Sequence, residues 1–316
     1  MRIATLLLTA AVLTGCASAP VPLTELVQPY RADLAGPGEP AVFPYVAEHA
    51  RGGRRLAFVA AQHSVDRNSA THRDVRRAFE HLKPAIVIIE GVPSSMGQNP
   101  EMIVELARMT DDPAAEPYAR GEAGYAASLA LAAGVPFQGG EPTEAERTAA
   151  LLAQGFDALD VFHTDLLGSL AADIKGGRLS GASDPRFDEV FGMRTVSLSM
   201  ERADPPRITY EGFADWYQSQ YGVDYRVDAA FAERLDPAAD TLVGRIARAQ
   251  SQIRDRRLLR VILDAVERHD RVLVVYGGTH RTTLARPLAQ ALGPAVVWPG
   301  ALAATAASDA GFAASN

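Results

Sequence analysis

The chain has a single cysteine, Cys16, among its 316 residues. No intrachain disulfide can form, and a thiol nucleophile inside the fold is excluded. Positive charge is also scarce. With 31 Lys and Arg against 38 Asp and Glu, the formal net charge is −7, so the basic face of a nucleic-acid binder is missing. G-x-S-x-G, the nucleophile elbow of serine hydrolases, does not occur, which removes the obvious role for Ser64 beside His63. No internal repeat is found, and the apolar run at 3–13 is too short to span a bilayer permanently. What is present, 47% hydrophobic and 22% charged residues, suits a globular protein with one large domain or two small ones.

The N-terminal segment carries Arg2, then IATLLLTAAVL, then Leu13, Thr14, Gly15 and Cys16. This order resembles a bacterial lipoprotein signal peptide (residues 1–15) ending in a lipobox. Cleavage there would make Cys16 the first residue, and acylation with more than one chain, as firm attachment needs, would anchor the protein to a membrane. Ala17 is not the aspartate that retains lipoproteins at the inner membrane, so the expected location is the cell envelope, at the outer membrane facing the periplasm. Residues 16–40 include Pro20, Pro22, Pro29, Pro37 and Pro40 and read as a tether. Residues 301–316, poor in large apolar groups, read as a disordered tail.

Between 41 and 300 the sequence alternates strand and helix signals, which predicts a single α/β domain with a mainly parallel central sheet flanked by helices. Strands are expected at 56–61, 85–90, 135–140 and 295–298, and at VLVVYGG, which begins at Val272. Helices are expected near 70–83, 101–109, 121–133, 144–154, 157–174, 239–268 and 282–292. Val75, Ala78, Phe79 and Leu82 make one buried stripe, and Thr143 with Glu146 forms a capping box. The stretch at 176–235 is irregular and aromatic, with Phe213, Trp216, Tyr217, Tyr221 and Tyr225. It is expected to be an inserted helical and irregular cap over the sheet.

Four apolar runs each stop at an acid or base: AFVAAQH at His63, AIVIIE at Glu90, VPFQGGE at Glu141 and VLVVYGGTH at His280. In a parallel sheet the carboxyl ends of the strands open into one crevice, where ligands and catalytic groups collect. The four groups are therefore expected to share a site. Gly277 and Gly278 allow a tight turn and close approach of a ligand to the backbone. Two imidazoles and two carboxylates can hold and deprotonate a water. His63, Glu90 and His280 would equally suit a divalent metal such as zinc or manganese. Arg254 follows the apolar-stripe residue Ile253 on the long helix, so it either reaches inward to a carboxylate or an oxyanion, or stays solvated beside Arg256, Arg257 and Arg260. Among the other histidines, His163 is expected to be a packed, hydrogen-bonded core residue. His72 and His269 are expected to face solvent or cap helices.

These motifs resemble the EreA/ChaN-like superfamily, which includes the erythromycin esterases, the haem-binding ChaN lipoproteins and the TraB/PrgY/TIKI metalloprotease branch. The resemblance spans roughly residues 54 to 298. It is carried by His63 and His280 as the paired histidines, Glu90 closing the second strand, Glu141 and Pro142 in GGEP, and Arg254 with Asp255 in IRDRRLL. The first motif has Ala60 where the metalloprotease branch has glycine. The resemblance implies an envelope hydrolase acting on an ester or peptide, with His63 or His280 activating water, Glu90 and Glu141 orienting the base or binding metal, and Arg254 steadying negative charge. Its alternative is a haem-binding lipoprotein of the ChaN kind, for which the cap offers Tyr217, Tyr221 and Tyr225.

Overall fold

The computed structural model describes residues 22–202 and 204–298. The signal segment, Cys16 and the tail at 301–316 lie outside these residues. Among the described residues the chain forms β1 (Tyr45–Arg51), β2 (Arg54–Ala61), α1 (Ala70–Leu82), β3 (Ile86–Pro93), α2 (Glu101–Arg108), α3 (Pro117–Arg120), α4 (Glu122–Ala132), β4 (Phe137–Glu141) and α5 (Glu144–Leu152). It continues through α6 (Ala158–Lys175), α7 (Phe187–Met200), α8 (Tyr210–Tyr221), α9 (Leu242–Arg268), β5 (Arg271–Gly277), α10 (Gly278–Leu292) and β6 (Val296–Val297). None of the described helices is long and apolar enough to cross a membrane.

The fold is α/β, built on one six-stranded sheet in the order β4-β3-β5-β2-β1-β6. β2, β5, β3 and β4 are mutually parallel, while β1 pairs antiparallel with both β2 and β6. Each central strand is apolar on both faces, and alternate residues enter different cores. Ala57, Val59, Val87, Ile89, Leu273 and Val275 meet Val75, Ala78 and Leu82 of α1 and Ala126, Ala127 and Ala130 of α4. Leu56, Phe58, Ile86, Ile88, Val272 and Val274 meet Leu258, Leu259 and Ile262 of α9 and Leu284 and Leu288 of α10. The last long strand, β5, enters between β3 and β2. The segment that follows it therefore emerges between the ends of the strands that lead to Glu90 and His63.

Several elements differ from expectation. β1 has no expected counterpart. It is joined to β2 by Gly52 and Gly53, both at positive φ (59° and 83°), the backbone that a two-residue hairpin of this hand requires. The expected tether is part of the fold from Pro22 onward. Val27 lies in the α9 and α10 core, and Glu39 forms a buried ion pair with Arg281 of α10. The cap consists of α7, α8 and a short 3-10 turn at Phe231–Glu233. Its aromatic residues share a separate core with Phe162, Leu166, Leu167 and Leu170 of α6 rather than joining either of the two cores that cover the sheet. The capping box of α5 forms as expected, with Thr143 and Glu146 satisfying each other's backbone amides.

Candidate functional site

His63, Glu90, Glu141, His280 and Arg254 come together at the carboxyl ends of β2, β3, β4 and β5. Glu90 is central. Its Oε2 accepts from the backbone amide of Gly277 at 2.7 Å, which places the carboxylate against the N terminus of α10, where helix amides favour an anion. Its Oε1 accepts from Arg254 Nη2 at 3.0 Å and lies 3.4 Å from His280 Nε2. The expected turn before a helix at 282 is instead the first turn of α10, so His280 sits on the helix itself. Gly277 allows this close approach: a Cβ there would lie 3.2 Å from His63 Nε2 and 3.4 Å from Glu90 Oε2. The two expected strand-end groups therefore flank one backbone atom.

Arg254 takes the inward of its two expected orientations. Its Nε and Nη2 form a bidentate pair with Glu141 at 2.8 and 2.7 Å, the geometry that suits guanidinium and carboxylate best. One guanidinium thus bridges Glu90, at the irregularity near the end of β3, and Glu141, which ends β4. Nη1 is left without a carboxylate among the described residues. The Tyr276 hydroxyl is buried without a hydrogen-bond partner, and its ring meets His280 edge to face at 5.5 Å. Burial and the nearby carboxylates push that phenol well above its ordinary range.

The two histidines differ in surroundings and in charge. His280 is buried, with Nδ1 2.5 Å from Asp255 Oδ1 and Nε2 facing Glu90. Burial alone would lower its pKa, but hydrogen bonds to Asp255 and Glu90 outweigh it and push the imidazole up to about 9. Glu90 shows the converse. Burial would raise its pKa, yet the His280 hydrogen bond and charge, Arg254 and the Gly277 amide hold it far below the carboxylate range. His63 has a side chain 70% exposed, and its Nδ1 is hydrogen-bonded to the buried Glu122 carboxylate. That hydrogen bond raises the His63 pKa, with burial opposing it and the charges of Glu122 and Glu90 adding to it. Nε2 lies beside Gly277, on the same side of its backbone as Glu90 Oε2.

The strand-end pattern does not reach Glu122, Asp255 or Tyr118. Glu122 is the first residue of α4 and also accepts from the Ser64 amide at 3.3 Å, so it holds the loop that carries His63. Asp255 was part of the helix motif, and only the fold shows it to be fully buried beneath His280. Tyr118 donates to the Glu90 backbone oxygen at 3.2 Å, and its ring approaches to 3.0 Å of where a Gly91 Cβ would stand. A conspicuous Glu in an Ala-rich helix and an R-D pair on an apolar stripe were the only available signals.

His63, Glu90 and His280 do not form a metal-ligating set. Among the described residues no three His, Cys, Asp or Glu side chains are arranged to hold a metal ion. The charge between the carboxylates is the Arg254 guanidinium, and the His280 nitrogens are already turned to Asp255 and Glu90. The cap tyrosines also fit poorly as haem ligands. Tyr217 and Tyr225 are buried in the cap's aromatic core, and the Tyr217 hydroxyl is committed to Asp228 at 2.6 Å. Of the other histidines, His163 is buried as expected, but both ring nitrogens lack a hydrogen-bond partner. His72 is buried against Ser69 and Arg120 rather than exposed. His269 is the half-buried C-cap of α9.

Compared with known proteins, the chain matches no family model, no curated protein and no solved structure.

Proposed function

We propose that the chain is a membrane-anchored envelope hydrolase that activates water on an ester or peptide substrate, with His63 as the general base. The observation that carries this reading is the His63–Glu122 pair. The ring is exposed, Nδ1 is tied to a buried carboxylate, and Nε2 lies beside Glu90 and Gly277. The Glu122 contact fixes the tautomer in which Nδ1 carries the hydrogen, leaving the Nε2 lone pair to take a proton from water. The water oxygen then bonds to the carbonyl carbon. The proton held on Nε2 passes to the departing alkoxide or amine as the carbonyl reforms.

His280 is less suited to be the base, because an imidazole held between Asp255 and Glu90 stays protonated through neutral pH. Its charge, with that of Arg254, supports the ionised Glu90. Arg254 Nη1 is the donor that can face the developing oxyanion. The lipobox ending at Cys16 supports the membrane anchor and the envelope location, and the resemblance to the EreA/ChaN-like superfamily supports ester or peptide as the substrate class.

The test is a screen of the purified full-length protein on p-nitrophenyl esters and short peptides, with EDTA, Mn²⁺ and Zn²⁺ arms. His63→Ala is expected to lower kcat/KM by about 10²–10⁴-fold, the usual contribution of a general base. EDTA is expected to leave the wild-type rate unchanged, since Arg254 stands where a cation would bind. An unchanged rate in His63→Ala would refute the assignment.

A further inference from the structure

A cavity of about 480 Å³, lined by none of the residues around Glu90, lies between α10 and residues 33–39. Its size falls within the range of small-molecule sites, which are mostly apolar with a few convergent polar groups. The wall along α10 is written in sequence at helical spacing. Arg281, Ala285 and Ala289 stand four residues apart on one stripe, so two small side chains leave a trough that runs from the helix surface toward Arg281. Leu34, Pro37 and Ala295 supply apolar walls.

The polar groups lining this cavity are incompletely satisfied. Arg281 is fully buried, and its one hydrogen bond to a carboxylate runs from Nη2 to Glu39, while Nε and Nη1 are buried with no hydrogen-bond partner. Both Glu39 oxygens are engaged, the other accepting from the Tyr45 hydroxyl at 3.0 Å. His49, also on the lining, holds the Gly293 carbonyl through Nδ1 at 2.7 Å and has a buried, unpartnered Nε2. Since Nδ1 must carry the hydrogen in that bond, Nε2 is an acceptor with nothing to accept from. At the rim, Arg286 is exposed and has no carboxylate partner among the described residues, whereas the rim acid Asp33 is paired with Arg31. Buried donors and acceptors without partners are costly, so a matching ligand would be strongly favoured there.

We infer that this cavity binds a small organic carboxylate with an apolar body. The carboxylate would accept from the free N–H groups of Arg281, with Arg286 adding charge at the mouth. The apolar body would lie along Ala285 and Ala289, and a hydroxyl or amine on the ligand could donate to His49 Nε2. The site is separate from the His63 and Glu90 crevice, and the binding measurement stands whether or not the protein is a hydrolase.

Calorimetric titration and thermal melting of the full-length protein with benzoate and salicylate, each against its neutral amide, would test this. Benzoate is expected to bind and to raise Tm, salicylate to bind more tightly through its hydroxyl, and benzamide to bind at least about tenfold more weakly, the ratio for losing a hydrogen bond to a charged group. Ala289→Phe fills the trough at a half-buried position without touching Arg281, and is expected to abolish binding while leaving Tm in the absence of ligand near that of the parent. Arg281→Gln should abolish the preference for benzoate over benzamide. No benzoate binding, equal affinity for acid and amide, or binding unaffected by Ala289→Phe would each overturn the proposal.

Discussion

At the residue scale, the same side chain does opposite jobs according to its neighbours. His63 and His280 both end apolar runs, but His63 has one carboxylate partner and an exposed ring, whereas His280 is enclosed by two carboxylates. This difference makes a direct prediction for pH–rate profiles. Because the Glu122 hydrogen bond raises the His63 pKa, the acid limb of kcat/KM should lie above the ordinary histidine value of about 6.5. Glu122→Gln should move that limb to lower pH and reduce the plateau rate. A limb that stays in place would separate Glu122 from the chemistry.

At the scale of elements, glycines decide how closely strands and helices approach. Gly139 on β4 faces the Val92 carbonyl, where an added Cβ would stand 1.9 Å from the oxygen. Gly139→Ala is therefore expected to cost about 1–3 kcal/mol, as overpacking does. Thr143→Ala, which only opens the α5 capping box, should cost about 1 kcal/mol. Urea midpoints would rank the two, and the reverse order would contradict this account of β4. The strands and most helices were legible because their signals are local. Uninterrupted apolar runs marked the buried strands, and periodic stripes marked α1 and α9. What was not legible depends on contacts far apart in the chain. β1 lies outside the expected strands, although Gly52 and Gly53 carry a hairpin signal. Residues 22–40 carry only a tether-like signal locally, because Arg281, which pairs with Glu39, and the α9 and α10 residues of the core that holds Val27 lie more than 200 residues away. The strand-end rule finds His63, Glu90, Glu141 and His280, but it does not reach Glu122 or Tyr118, which sit on helices α4 and α3 within the β3–β4 crossover.

For the whole molecule, buried histidines of opposite kinds bound the pH range of stability. His280 has a folded pKa raised to about 9. Its contribution is fully present below its unfolded value of about 6.5 and is lost as pH rises through about 9, an effect on the order of 3 kcal/mol. His49 and His163 are buried and neutral, lowered to about 4, His163 by burial and His49 by burial and the Arg281 charge. Their contribution is present above about 6.5 and is lost as pH falls toward about 4. Denaturant midpoints between pH 4 and 10 should therefore peak between these flanks, and His280→Gln should flatten the alkaline side selectively. A symmetric loss in that variant would argue against the assigned charge.

The central claim is a division of labour between two imidazoles, an exposed base at His63 and a fixed cation at His280. It is tested most directly by NMR titration of the ring nitrogens in ¹⁵N-histidine-labelled protein. We predict that His280 keeps both nitrogens protonated to about pH 9, and that His63 titrates above the ordinary histidine value, with Nε2 as the nitrogen that loses its proton. A His280 that titrates as a free histidine, or a His63 that is neutral well below pH 6, would contradict the account.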